Sequence, residues 1–147
     1  MKSLRLLLFA LFAATATPVL AFDTPTTATM PDLSAIRTKI DAKDYRGAIT
    51  DLNKLINRGV QDADVYNLMG YSLRKSGDTQ TAMTFYKKAL EFDPNHKGAL
   101  EYSGELYVQI GDLAKARQNE VRLMELCPQG CEELSDLQEA IGEAPAK

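Results

Sequence analysis

The chain has 147 residues, with 17 basic and 20 acidic side chains and a formal net charge of −3 at neutral pH. Residues 98–147 contain four basic and ten acidic side chains, whereas residues 22–97 contain eleven and ten. Because nucleic acids and anionic membranes are polyanions, this acidic C-terminal half disfavours both as partners and is compatible with a basic protein surface. The length is enough for one domain with a genuine hydrophobic core.

The first 21 residues have the parts of a secretory signal peptide. Lys2 and Arg5 form a basic start, residues 6–14 are an apolar run, and Ala21 ends the segment. An uncleaved membrane anchor is the weaker alternative, because the apolar run is shorter than the ~20 residues that span a bilayer. We expect cleavage after Ala21, a periplasmic or secreted location, and no stable membrane insertion afterwards.

Residues 22–30 contain threonine and proline but no periodic apolar side chains, which indicates a flexible leader. Two stripes of apolar residues at helical spacing follow. The first stripe consists of Leu33, Ile36 and Ile40, and the second of Tyr45, Ala48, Ile49, Leu52, Leu55 and Ile56. These stripes predict a pair of helices.

Residues 63–94 contain the clearest pattern in the chain. Apolar or small residues recur at i, i+3, i+4 and i+7 from Tyr66 to Leu73, and the same spacing recurs from Ala82 to Leu90. Gly77 and Asp78 separate the two segments. Because Gly70 and Ala82 have almost no side chain, we expect the two helices to approach each other closely there.

A shift of 34 residues superimposes this unit on the sequence before and after it. Two series stay in register: Asp44, Asp78 and Asp112, and Ala48, Ala82 and Ala116. The first copy departs most, since Ile36 replaces the helix glycine and Lys43 replaces the turn glycine. The third copy has Ser103 and Glu120 where large apolar residues are usual.

This unit resembles the tetratricopeptide repeat (TPR), which has the same period. Its large first-helix residue, its Leu-Gly pair, its small second-helix residue and its closing proline correspond to Tyr66, Met69 with Gly70, Ala82 and Pro94. The resemblance implies an all-α solenoid of about three helix-turn-helix repeats, at residues 29–62, 63–96 and 97–130. A capping helix at 131–142 completes a TPR domain at 31–142, and a disordered tail is expected at 143–147.

In the TPR family the first helices of the repeats line a concave groove that receives a peptide or a helix. The resemblance places eight residues at this groove: Arg37, Asp64, Asn67, Tyr71, Arg74, Lys75, Glu101 and Glu105. The alternative, of equal weight, is that each residue belongs to an ordinary solvated helix face. The family's clamp for a C-terminal carboxylate requires Lys and Asn at the fifth and ninth groove positions. Leu33 and Arg37, then Asn67 and Tyr71, occupy them here, so this clamp is incomplete.

The two cysteines, Cys127 and Cys131, flank a tight turn that contains Pro128 and Gly130. In an oxidising compartment a disulfide that holds the capping helix is the simplest interpretation. A thiol-based metal site or a redox dithiol is the alternative. The typical redox motif is C-x-x-C on a βαβ pattern, and no strand pattern occurs in this sequence.

Catalytic motifs are not found in the sequence: there is no G-x-S-x-G, no phosphate-binding glycine loop and no H-E-x-x-H. The single histidine, His96, lies in a turn between repeats and is interpreted as structural, with Asn95 as the cap of the following helix. The sequence therefore predicts a non-enzymatic adaptor or assembly factor without a cofactor or metal. Its predicted partner is a protein or peptide, and self-association is a further possibility.

Overall fold

The computed structural model describes residues 30–145, and these form seven α-helices without a strand. The helices are α1 (Ser34–Asp41), α2 (Tyr45–Asn57), α3 (Ala63–Lys75), α4 (Thr79–Phe92), α5 (Lys97–Gln109), α6 (Leu113–Leu126) and α7 (Glu132–Gly142). Within residues 30–145 no helix is both long and apolar enough to cross a membrane. The predicted signal peptide, residues 22–29 of the predicted leader and the last two residues of the predicted tail lie outside the described residues.

The helices pack in sequential pairs, α1 with α2, α3 with α4, and α5 with α6, and each pair contacts the next. Short turns join the two helices of each pair, so the helices are antiparallel. Helix α7 packs against both α5 and α6, in the place that a fourth pair would occupy. The predicted all-α solenoid of about three repeats with a capping helix is confirmed.

The aspartates that recur every 34 residues have a defined role at the start of each second helix. The side chains of Asp44, Asp78 and Asp112 accept hydrogen bonds from the backbone N–H groups of Gly47, Thr81 and Lys115. A carboxylate at this position satisfies an N–H group that has no partner within the helix. Asp62 caps α3 in the same way through Val65, as expected.

The turn that precedes each second helix has one residue in the left-handed backbone region. Gly77 and Gly111 occupy it with φ of 94° and 80°, and Lys43 occupies it with φ of 60°. Glycine adopts this conformation without a steric penalty, whereas a residue with a Cβ loses roughly 1 kcal/mol. The first repeat therefore forms the same turn as the others at a local cost.

The interior consists of one apolar cluster between each helix pair and the next. The cluster around α1, α2 and α3 includes Ile36, Leu52 and Met69, and the cluster at the other end includes Leu123, Leu134 and Leu137. A smaller cluster of Ala82, Tyr86 and Leu106 connects them. These clusters hold α1, α3, α5 and α7 side by side, which positions the candidate site.

Gly70 and Gly104 mark two close contacts in this interior. A Cβ atom on Gly70 would lie 2.7 Å from two ring atoms of Tyr86 and 3.2 Å from the carbonyl oxygen of Ala82. The predicted close approach of Gly70 and Ala82 is therefore confirmed. A Cβ atom on Gly104 would instead lie 2.6 Å from Leu137, a side chain of the capping helix.

Candidate functional site: the groove of the first helices

Three tyrosines form a strip that runs from the start of α2 across α3 to α5. The ring centroids of Tyr71 in α3 and Tyr102 in α5 are 5.0 Å apart, and those of Tyr71 and Tyr45 are 6.4 Å apart. Tyr71 is half-buried, so one part of its ring is available to a partner. Sequence reasoning selected Tyr71, did not select Tyr102, and assigned Tyr45 to the buried stripe, although it is also only half-buried.

Arg74 is held firmly beside this strip. Its guanidinium forms an ion pair of 2.5 Å with Glu105 and lies 6.0 Å and 5.6 Å from the ring centroids of Tyr71 and Tyr102. Its side chain is only 15 % exposed. Lys75 is more exposed, with its ammonium 5.3 Å from the Tyr71 ring. Of these two predicted groove cations, Lys75 is the one that a partner can reach without breaking an ion pair.

A chain of polar contacts connects the starts of the three first helices. Arg37 Nη2 donates to Asp64 Oδ2 at 3.0 Å, and His96 Nε2 lies 3.0 Å from Asp64 Oδ1. His96 Nδ1 accepts a hydrogen bond from the backbone N–H of Ala99 at 3.0 Å. Because Nδ1 is the acceptor, the geometry fits the tautomer with the proton on Nε2, which donates to Asp64.

This arrangement corrects the predicted cap of α5. His96, not Asn95, is the N-cap of that helix. Asn95 instead accepts a hydrogen bond of 2.5 Å from Arg122 through Oδ1. The contact of His96 with Asp64 in the neighbouring repeat could not be inferred from the spacing of the turn.

Two of the predicted groove residues are nearly buried. Asn67 is 5 % exposed and Glu101 is 6 % exposed, and they occupy equivalent positions 34 residues apart. Burial, together with the negative charges of Glu105, Asp136 and Glu133, raises the pKa of Glu101 to about 8. The spacing of a helical face does not distinguish buried positions from exposed ones, so the sequence did not reveal that Asn67 and Glu101 are buried.

Two recesses lie on either side of the tyrosine strip. One has a volume of about 270 Å³ and is lined by Arg37, Ile40, Asp41, Asn67, Leu68, Tyr71 and Tyr102. The other, of about 590 Å³, lies between Arg74, Lys75 and Glu105 on one side and the end of α7 on the other. Three of the eight predicted groove residues, Arg37, Asn67 and Tyr71, line the first recess. Three others, Arg74, Lys75 and Glu105, line the second.

The structure has a bond between the sulfur atoms of Cys127 and Cys131. Cys127 is buried, and Cys131 is the N-cap of α7, so the bond joins the end of α6 to the start of the capping helix. Within residues 30–145 no group of three or more His, Cys, Asp or Glu side chains is placed to hold a metal ion. None of these observations supports the thiol-based metal or redox alternative.

Stacked helix pairs with a concave first-helix surface define the class of helical-repeat proteins. Comparison with family models then specifies the repeat. One tetratricopeptide-repeat model matches residues 63–96 and another matches residues 85–118. The chain therefore contains tetratricopeptide repeats within residues 63–118.

Three curated proteins are similar to parts of the chain. "Uncharacterized protein ycf37" of Pyropia yezoensis is 33% identical over 81 residues, which is 55% of this chain and 43% of that protein. "Cellulose synthase 2 operon protein C" of Komagataeibacter xylinus is 34% identical over 98 residues, 67% of this chain and 8% of that protein. "Probable biofilm formation methyltransferase WspC" of Pseudomonas putida is 33% identical over 75 residues, which is 51% of this chain and 18% of that protein. The chain thus spans less than half the length of each relative.

Proposed function

We propose that the chain is a non-enzymatic adaptor or assembly factor that binds a peptide or helix of an envelope protein in the groove of α1, α3 and α5. Tetratricopeptide repeats indicate protein–protein interaction in general. The observation that supports a groove site in particular is Tyr71, which is half-buried, contacts Tyr45 and Tyr102, and lines the smaller recess. The sequence of residues 1–21 supports an exported location.

The groove is suited to binding because its side chains are already ordered. Tyr71 is held between two other tyrosines, and Arg74 is held by Glu105. Side chains that are fixed before association lose less conformational entropy when a partner binds. Tyrosine is also enriched among the residues that contribute most to binding free energy.

Site-specific crosslinking tests this proposal. A photoreactive phenylalanine analogue replaces Tyr71 in the groove or, in a matched control, Met124, which is 51 % exposed on α6. In cells that express the full chain, we expect the analogue at position 71 to capture a specific envelope protein and the analogue at position 124 not to capture it. Equal capture at both positions would contradict the proposal.

A pair of variants then measures the affinity for the captured protein. Tyr71→Ala/Lys75→Glu alters the exposed part of the groove, and Met124→Ala/Lys87→Glu makes comparable changes on exposed positions of α4 and α6. Loss of a central interface tyrosine typically costs 1–2 kcal/mol or more, so we expect the groove variant to bind at least ~10-fold more weakly. The control should bind like the wild type, and so should Cys127→Ser/Cys131→Ser.

A further inference from the structure

Asn67 and Glu101 are two nearly buried polar residues, and Asn67 has a buried hydrogen-bond acceptor without a donor. Asn67 Oδ1 has no hydrogen-bond partner among residues 30–145, and the Glu101 carboxyl forms no hydrogen bond or ion pair within that range. The Asn67 amide nitrogen lies close to Gly98, one helical turn before Glu101 on α5. Since buried polar groups are nearly always paired, Asn67 Oδ1 indicates a donor that comes from another molecule.

The charges around Glu101 indicate the sign of that donor. Glu105 lies on the same helix, Glu133 and Asp136 on α7, and Arg74 on α3. Arg74 is paired with Glu105 at 2.5 Å, and Lys97 lies 3.6 Å from Glu133. Within the described residues, Glu101 and Asp136 have no cation of their own. Burial and the neighbouring carboxylates together raise the Glu101 pKa. Among the described residues at this place, Glu101, Glu105, Glu133 and Asp136 outnumber the cations Arg74 and Lys97.

The aromatic residues beside Glu101 are compatible with a cation. Tyr102 follows Glu101 directly, and its ring contacts Tyr71 at a centroid distance of 5.0 Å. The faces of these rings already attract Arg74 and Lys75. An ammonium or guanidinium group near an aromatic face is stabilised by the ring quadrupole.

We infer that the strip formed by Asn67, Glu101 and Tyr102 binds a lysine or arginine side chain of the protein segment that occupies the groove. The inference rests on the proposed function and specifies the class of partner. An ammonium has three N–H donors and a guanidinium has five, so each can donate both to Asn67 Oδ1 and to the Glu101 carboxylate. An aliphatic side chain would donate to neither group, and an acidic one would add to the negative charge around Glu101.

Binding of a cation should also release a proton. The Glu101 pKa is raised to about 8 by burial and by the carboxylates of Glu105, Asp136 and Glu133, with Arg74 as the opposing charge. A bound cation favours the ionised carboxylate, so below about pH 8 the proton must leave as the cation binds. The affinity for a basic segment should therefore increase as the pH rises from about 6 to 8.

A peptide experiment tests the inference. A random dodecapeptide phage library is selected on the immobilised full chain, and the peptides retained are those that the Tyr71→Ala variant fails to bind. We expect a lysine or arginine at a recurrent position. The best peptide is then synthesised with that residue and with its uncharged analogue, norleucine for lysine or citrulline for arginine.

Calorimetric titration of the wild type should give at least ~10-fold tighter binding for the charged peptide, since a hydrogen bond to a charged group contributes about 1.5–3 kcal/mol. Glu101→Gln should weaken binding of the charged peptide by a similar factor and leave binding of the uncharged peptide unchanged. Glu139→Gln removes the same charge from an exposed position of α7 and should have no effect. Titrations in two buffers of different ionisation enthalpy should show proton release by the wild type at pH 7.

The outcomes separate this inference from the proposed function. Groove-dependent peptides without a basic residue, or equal binding of the charged and uncharged peptides, would overturn the inference and leave the groove function intact. If the selection yields no peptide whose binding depends on Tyr71, both the inference and the proposed function are overturned. The proton-release measurement uses the wild type, so it does not depend on the folding of a variant.

Discussion

The second and third repeats fill the same space with side chains from different helices. In the second repeat, Tyr86 of α4 packs against Gly70, and a Cβ atom on that glycine would meet its ring at 2.7 Å. In the third repeat, Glu120 stands at the position of Tyr86, and Leu137 of α7 packs against Gly104. The residue that corresponds to Leu137 one repeat earlier is Ser103, which is small.

The two arrangements are therefore complementary in volume. At the second repeat a large side chain, Tyr86, occurs together with a small one, Ser103. At the third repeat Glu120, which forms an ion pair with Arg117, occurs together with a large apolar side chain, Leu137. The buried Ser103 hydroxyl donates to the carbonyl oxygen of Ala99 and receives a hydrogen bond from Asn119, so this polar residue is satisfied. The comparison teaches that the second repeat closes its glycine gap by itself, whereas the third depends on the capping helix.

The largest effect should come from Leu137→Ala. Leu137 is fully buried, and truncation of a buried leucine to alanine costs about 2–5 kcal/mol. We expect a loss of that size in the free energy of unfolding, measured by urea denaturation. Met124→Ala, at an exposed position of α6, should change it by less than about 0.5 kcal/mol. A loss below about 1 kcal/mol for Leu137→Ala would mean that α7 is not part of the core of the third repeat.

The second repeat has Asn67 where the third has Glu101, and this second difference should make the stability of the chain depend on pH. The Glu101 pKa is raised from 4.5 to about 8 in the folded chain, so its contribution to stability is complete below about pH 4.5 and is lost as the pH rises to about 8. Over this pH range the free energy of unfolding should fall by about 2–4 kcal/mol.

Glu101→Gln should remove this part of the pH dependence and make the chain more stable than the wild type at pH 8 to 9. Urea denaturation at pH 5, 7 and 9 measures the effect, with Glu139→Gln as the control for a change in net charge. Identical slopes of stability against pH for the wild type and Glu101→Gln would contradict the assignment.

Substitutions of Gly70 and Gly104 should have the smallest effects on the free energy of unfolding, and the two effects should differ in size. In Gly70→Ala the new methyl group meets a buried ring and a backbone carbonyl, so we expect a net loss of about 1–2 kcal/mol. In Gly104→Ala it meets the end of a leucine side chain, and the better helix propensity of alanine offsets part of the strain. We expect a change within about 1 kcal/mol.

The double variant Gly104→Ala/Leu137→Ala sharpens this last comparison. If Leu137 fills the space above Gly104, the added methyl group should recover part of the cavity, and the double variant should be more stable than Leu137→Ala alone. Strict additivity of the two free-energy changes, measured by the same denaturation, would show that the two residues do not share that space.

Much of the fold could be predicted from spacing. The helix pairs, the close approach of Gly70 and Ala82, and the cap formed by Asp62 follow from residues near one another in the chain. The groove residues were predicted as a helical face, and the structure divides that face. Tyr71 and Lys75 are accessible, Arg74 is held by Glu105, and Asn67 is buried. This division depends on the neighbouring repeat, which periodicity within one helix does not describe.

By itself, the sequence determined the class of the protein, because the 34-residue period of small, apolar and capping residues specifies which helix faces must be buried. Only the tertiary structure decided that His96 contacts Asp64, that Leu137 fills the gap at Gly104, and that Glu101 lies buried among other carboxylates. These contacts join residues about 30 or more positions apart or on different helices. Their outcome depends on the volume and charge that adjacent helices leave for one another, which no local pattern records.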